Sequence, residues 1–187
     1  CPMLTYHLET IAKVFAAVPN PTTGSRGGDG THSTFVWLHR DPRKVIASLA
    51  NLMLVIREPF QPALGATKIH NIGRVSLHLV RRLLQAGMAS RKRIEDAQAG
   101  EADKRVTFVD IGFKELVKDK MSTVAKLYTS IGTDLTVEAK QSMETFLREQ
   151  GEARKHQGQP KKYTLAEFGI SEEEVLGDPV FAEYSRA

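Results

Sequence analysis

Apolar residues at helical spacing, interrupted by two short runs of strand-forming residues, set the order of elements. Leu4, Leu8, Ile11, Ala12 and Phe15 predict an amphipathic helix over residues 4–17. Phe35–Arg40 (FVWLHR) reads as a strand, and Asp41-Pro42 opens a helix whose apolar positions are Val45, Ile46, Leu49, Leu52 and Met53. Asp is a strong N-cap residue, and a Pro at the first helical position lacks only an amide that has no helical partner anyway. Arg57–Ala66 carries two prolines and ends this helix. Residues 68–96 hold the longest helical pattern, with Ile69, Ile72, Val75, Leu79, Val80, Leu83 and Leu84 on one side and Arg74, Arg81 and Arg82 mostly facing elsewhere. Val106–Ile111 (VTFVDI) is rich in β-formers and reads as a second, buried strand. A helix over about 119–131 presents Met121, Val124, Ala125, Tyr128 and Ile131, which places Tyr128 in the core. Another runs from Leu135-Thr136 to about Gln150, where Gly151 is expected to end it. The capping-box spacings Thr164/Glu167 and Ser171/Glu174 predict two short closing helices. Strands separated by helices make the expected class α/β, with a parallel sheet flanked by helices.

The polar stretches between these elements add less. Pro19–Ser33 combines four Gly and two Pro with small polar residues, a composition that holds no regular element, so a flexible insertion is expected there. Its Gly24-Ser25-Arg26-Gly27-Gly28 is not a phosphate loop, because the terminal Gly-Lys-Ser/Thr is missing and no strand precedes it. Glu152–Lys162 reads as a cationic loop that needs solvent or an anion to face.

Composition narrows the class. With 187 residues, 41% hydrophobic and 26% charged, a single domain over residues 1–187 with one substantial core is expected. A net charge of +4 suits phosphate-bearing small molecules, and the one basic cluster, Arg91-Lys92-Arg93, reads as a solvated helix end, so no nucleic acid is expected as partner. Cys1 is the only cysteine, which excludes an internal disulfide and a zinc site of several thiolates, and no metal is expected. No apolar run approaches the ~20 residues needed to span a bilayer. Without a membrane span or targeting segment the expected compartment is cytoplasmic. Because the chain opens with Cys-Pro, it is expected to begin inside a longer reading frame and to be incomplete at its N-terminus.

The junction at Arg40-Asp41 is the main candidate for chemistry. A strand that passes at once into a helix aims unpaired N–H groups and the positive end of a helix dipole at one spot, with the Arg40 guanidinium beside them. At ~1.5 Å rise per residue, Ser48 lies about 10 Å along the helix from Asp41, on the same face because seven residues make nearly two turns. Arg40 and Ser48 therefore outline an anion site; the alternative is a surface Arg and a helical Ser with no ligand. Asp110 falls at the carboxyl end of the second strand, the edge where ligands bind in open α/β sheets, or else it caps or pairs locally.

These segments together resemble the sulfotransferase family, closest to its bacterial-type branch. There a strand ends in His-Arg-Asp-Pro and a Ser follows the Arg by eight positions, the spacing of Arg40 and Ser48 here. Phe113–Asp119 looks like the family's Tyr-x-Asp-Leu-Val-x-Asp-Pro segment, and Met121–Gly132 like the helix after it. Lys155-His156 through Tyr163–Gly169 looks like its Lys-His-Gly, Tyr-Ser-Leu-x-x-Phe-Gly ending. Pro2, Leu8 and Phe15 look like the segment that opens Lys-x-Pro-x-His. The resemblance implies a nucleotide-kinase-like fold and transfer of a sulfuryl group from 3′-phosphoadenosine 5′-phosphosulfate to a hydroxyl or amine of a small-molecule or glycan acceptor. It also implies that Arg40 and Ser48 hold the donor's 3′-phosphate, with Arg154, Lys155 and Gly158 as further contacts.

Several departures weigh against a complete active site in this chain. The family's Gly-rich loop for the 5′-phosphosulfate and the Lys of Lys-x-Pro would lie before Cys1, and Leu4 occupies the position of the family's proton-accepting His. His7 is the nearby substitute, although its position between Leu4 and Leu8 also suits packing. Lys120 stands where Pro is usual, and the terminal Gly-rich loop is altered to Gln157-Gly158-Gln159-Pro160. This chain alone is expected to be weakly active or inactive. Two alternatives stay open: a catalytically degenerate member that binds a nucleotide or a partner, and a nucleotide kinase with a Gly-Lys-Ser/Thr loop upstream.

Overall fold

A computed structural model describes residues 7–16, 33–60, 65–100, 106–155 and 163–186, without the side chains of residues 15, 16, 66, 67, 154 and 155. The expected insertion over about 19–33 lies outside this description apart from Ser33. The element order is α1 (Leu8–Ala16), β1 (Ser33–His39), α2 (Pro42–Arg57), α3 (Ala66–Ala97), β2 (Val106–Gly112), α4 (Phe113–Lys118), α5 (Lys120–Ser130), α6 (Val137–Lys155), a 3-10 turn (Ala166–Phe168), α7 (Glu172–Gly177) and α8 (Pro179–Tyr184). Helix dominates, and β1 and β2 pair in a small parallel sheet, the α/β class expected. The described residues form two compact units. The first takes α1, those within Asp41–Thr107 and those within Tyr163–Ala187; the second takes those within Thr34–Arg40 and Phe108–Lys162.

The first unit is built on α2 and α3. On α2 the buried positions are Pro42, Ile46, Ala47 and Ala50; on α3 they include Ile72, Ser76, Val80 and Leu83, one stripe at spacings of four, four and three. Leu165, Phe168, Ile170, Val175 and Phe181 from the C-terminal segment complete the same core. Full burial of side chains such as Phe168 and Val175 is worth roughly 1.5–3 kcal/mol each. Each expected capping box forms in one of its two halves: Thr164 N and Oγ1 donate to Glu167 Oε1 at 3.0 Å, and Glu174 N donates to Ser171 Oγ at 3.1 Å. The first of them closes only a 3-10 turn, and a further helix follows. That helix, α8, starts with Asp178-Pro179, whose Asp accepts from Val180 N at 2.9 Å and pairs with Arg81 at 3.0 Å. Arg91 and Lys92 pair with Glu95 and Asp96 one turn on, as a solvated helix end requires, while Arg93 reaches Glu9 of α1. His7 precedes α1 and is exposed, so it does not pack as expected.

Two glycines fix how the C-terminal segment lies on α3. At Gly73 an added Cβ would sit 2.3 Å from the Phe168 carbonyl oxygen and 2.8 Å from the Phe168 Cβ. Gly169 has φ +67° and would meet the His70 ring at 2.8 Å. The turn after Phe168 is held by Arg74, whose guanidinium donates to Gly169 O at 2.8 Å and pairs with Glu174.

In the second unit, Phe35 stacks on Phe108 with centroids 5.6 Å apart and Trp37 lies 6.3 Å from the same ring, which marks one face of the sheet. On the alternate positions Val36 and Leu38 remain 48% and 43% exposed. Within β2 only Val106 is buried, so it is not the fully buried strand expected. A buried parallel strand needs covered neighbours on both sides, and the described sheet has two strands. The start of β2 is held by Gln98, whose side-chain amide accepts from Val106 N at 2.8 Å and donates to Val106 O at 3.2 Å.

Asp119 caps α5 by accepting from Ser122 N at 3.0 Å, so the helix starts normally with Lys120 where a Pro was expected. Tyr128 is only half-buried rather than core. α6 passes through Gly151 to Lys155, four residues beyond the expected stop. Gly151 keeps φ out of the left-handed region, and the Glu, Arg and Lys around it are strong helix formers. The cationic stretch from Glu152 therefore begins as helix.

Gly73→Ala should destabilise the protein by about 1–3 kcal/mol in urea denaturation, because the overpacking against Phe168 outweighs the helix propensity gained. An unchanged or raised midpoint would contradict the close approach.

Candidate functional site

The start of α2 does not offer what the sequence suggested. Asp41 Oδ1 accepts from Arg43 N at 3.0 Å, and Asp41 O accepts from Lys44 N at 3.0 Å and Val45 N at 3.1 Å. Pro42 has no amide to give. The first-turn N–H groups, expected to point unpaired at an anion, are thus consumed by the residue that caps them. Asp41 also binds the Arg43 side chain, at 3.0 Å to Nε and 2.8 Å to Nη2, and Arg43 Nη1 reaches Glu172 at 2.7 Å. These bonds, Asp41 first and Glu172 second, raise the Arg43 pKa above its ordinary value. A carboxylate here satisfies the dipole from within. Ser48 lies in the second turn of α2 and is exposed. Its neighbours Ile46, Ala47 and Ala50 are buried, so Ser48 sits on the helix's outer side within this unit.

The other half of the motif belongs to the carboxyl ends of the two strands. Arg40 follows β1 directly, is exposed, and holds its guanidinium carbon 4.6 Å from the centroid of the Phe113 ring at the start of α4. Such a contact is worth about 0.5–1 kcal/mol at an exposed site, enough to bias the long side chain toward one position. One residue earlier, His39 Nε2 lies 2.7 Å from Asp110 Oδ1, across the sheet, with Trp37 stacked on the His39 ring at 6.1 Å. Asp110 therefore pairs locally, the second of the two roles open to it. The sequence placed Asp110 at the strand end but did not couple it to His39; reading both strands as parallel and in register was the signal available.

Of the remaining expected contacts, Leu4 and Gly158 lie outside the described residues. Arg154 and Lys155 end α6, with side chains outside the description. Among the described residues no three His, Cys, Asp or Glu side chains gather to hold a metal ion. No helix there is long and apolar enough to cross a membrane.

Residues 31–137, more than half of the chain, match the profile of the sulfotransferase family, and the protein belongs to that family. The matched stretch contains both strands, Arg40, Ser48 and Phe113. The fold is similar to the crystal structure of sulfotransferase STF9 from Mycobacterium avium. The TM-score is 0.67 at 24% sequence identity, and the match covers 100% of this chain and 40% of that one. The chain thus spans about two fifths of the length of that sulfotransferase. No curated protein sequence matches this one.

Asp41→Ala removes the cap and leaves Arg43 without its main partner. The expected loss is about 1–3 kcal/mol in chemical denaturation, with Asp41→Asn losing roughly half as much because it keeps the cap acceptor but not the charge. Equal stability of the Ala variant and wild type would contradict the cap.

Proposed function

We propose that this chain is part of an enzyme that transfers a sulfuryl group from 3′-phosphoadenosine 5′-phosphosulfate to a hydroxyl or amine acceptor, a small molecule or a glycan. The observation that carries the reading is the family match across a strand–helix junction that keeps Arg40 and Ser48 eight residues apart. When bound, the donor supplies a sulfuryl group already activated by its phosphate leaving group. Arg40 holds the 3′-phosphate through charge-assisted N–H bonds, and Ser48 donates its hydroxyl to the same group. The assignment of the pair rests on their spacing. One contact supports this role: the Phe113 ring orients the Arg40 guanidinium. The structure also changes the role, since the α2 amides are engaged by Asp41 and the anion depends on side chains. Arg154, Lys155 and Gly158 are further contacts in the same reading.

In this family, positioning and charge stabilisation supply most of what such a transfer needs from the protein. A group to take the acceptor's proton is not assigned: Leu4 cannot do so, and His7, exposed before α1, is the nearest histidine in sequence. Leu4 favours a second reading, a member that binds adenosine 3′,5′-bisphosphate without catalysis. A radiolabelled-donor assay of the full-length protein against mixed hydroxyl and amine acceptors separates the two.

Calorimetry of the full-length protein with adenosine 3′,5′-bisphosphate tests the site itself. Arg40→Ala should weaken binding by about tenfold or more and Ser48→Ala by roughly three- to tenfold. Wild-type affinity in Arg40→Ala would remove the proposed phosphate site.

A further inference from the structure

The helices of the second unit enclose an apolar cleft that the donor reading leaves unused. α4, α5 and α6 surround a volume of about 660 Å³ lined by Phe113, Leu116, Met121, Met143 and Leu147, with Lys120 as the one charged side chain among the described residues there. That volume lies within the ~300–1,000 Å³ typical of small-molecule sites, and apolar walls with a few polar groups are their usual lining. Among the described residues no carboxylate lines the cleft. The nearest acidic side chains in sequence are engaged elsewhere, Asp119 on Ser122 N at 3.0 Å and Glu115 on Lys126 at 2.7 Å. Phe113 brings a second cation close, because the ring that lines the cleft also carries Arg40 at 4.6 Å.

A mostly apolar slot whose lining includes the exposed Lys120 and the polar Ser142 is complementary to a molecule with a hydrocarbon body and one anionic end. We infer that this cleft binds an anionic amphiphile, a ring or short-chain hydrocarbon bearing a sulfate, sulfonate or carboxylate, with the head group on Lys120 and the body between α4, α5 and α6. A neutral hydrocarbon would leave Lys120 without its ion pair, and a small hydrophilic anion would leave the apolar walls wet. Both should bind less tightly. The inference stands whether or not the donor reading holds.

The test is calorimetry on the full-length protein with 1-naphthyl sulfate and 1-naphthol. Naphthyl sulfate should bind at one saturable site, about tenfold tighter than naphthol, as one charge-assisted contact allows. Lys120→Met should erase that difference while leaving naphthol affinity intact. Leu147→Asp should abolish binding of both, and Met143→Trp, which fills the cleft without adding charge, covers the case in which the Asp variant fails to fold. Ser48→Ala should bind naphthyl sulfate as wild type does; weakened binding would place the ligand at the proposed donor site and overturn the inference. So would equal preference in Lys120→Met and wild type, binding that survives Met143→Trp, or no saturable binding together with a concentration-dependent dimer in sedimentation.

Discussion

Asp41 is the residue on which the rest of this arrangement turns. Its backbone carbonyl accepts two first-turn amides of α2, its carboxylate accepts a third, and the same carboxylate grips the Arg43 side chain. Because Arg43 continues to Glu172 at the start of α7, the cap also ties the N-terminus of α2 to the segment that closes the core of the first unit. A helix start that could have served as an anion site is instead a structural clamp. The dipole is answered by a carboxylate from within the chain, and the first-turn amides are engaged by Asp41.

That constraint sharpens the division of labour at the strand–helix junction. Asp41 and Pro42 start the helix, while the guanidinium of Arg40, one residue earlier, lies over the Phe113 ring. The acidic residue at the end of β2 is spoken for in the same way: Asp110 is paired with His39 at 2.7 Å. The His39–Asp110 contact also joins the two strands near their carboxyl ends, one residue before Arg40 and three before Phe113. In the first unit, the absence of a side chain at Gly73 lets the backbone at Phe168 lie against α3, so the closing turn seats where Arg74 can hold it.

What the sequence made legible follows from which signals are local. Helical periodicity located α2, α3 and α5 to within a few residues, because each carries a continuous apolar stripe. Asp-Pro pairs are equally local, and the one at Asp41-Pro42 was read; its repeat at Asp178-Pro179 marks α8 and was available. The less successful readings concern signals that tertiary context overrides. Gly151 reads as a stop, yet strong helix formers on both sides carry α6 past it. VTFVDI reads as a buried strand, yet burial depends on how many strands flank it. At the site, the Arg40–Ser48 spacing was legible, but the fate of the α2 amides was not. N-cap propensity says that Asp41 caps; it does not say that the cap leaves nothing for a ligand. The α4–α5–α6 cleft was not legible either, since its walls come from three helices, of which α4 was not read as a helix.

The most direct measurement is the ¹H–¹⁵N spectrum of the full-length protein titrated with adenosine 3′,5′-bisphosphate, following the Arg40 Nε–H resonance beside the backbone amides of Arg43, Lys44 and Val45. If side chains hold the phosphate while Asp41 keeps the amides, the Arg40 signal shifts strongly and saturably and the three amides move little. Large shifts at Arg43, Lys44 and Val45 with Arg40 unmoved would show that the ligand displaces the Asp41 cap and binds the helix start, contradicting the account.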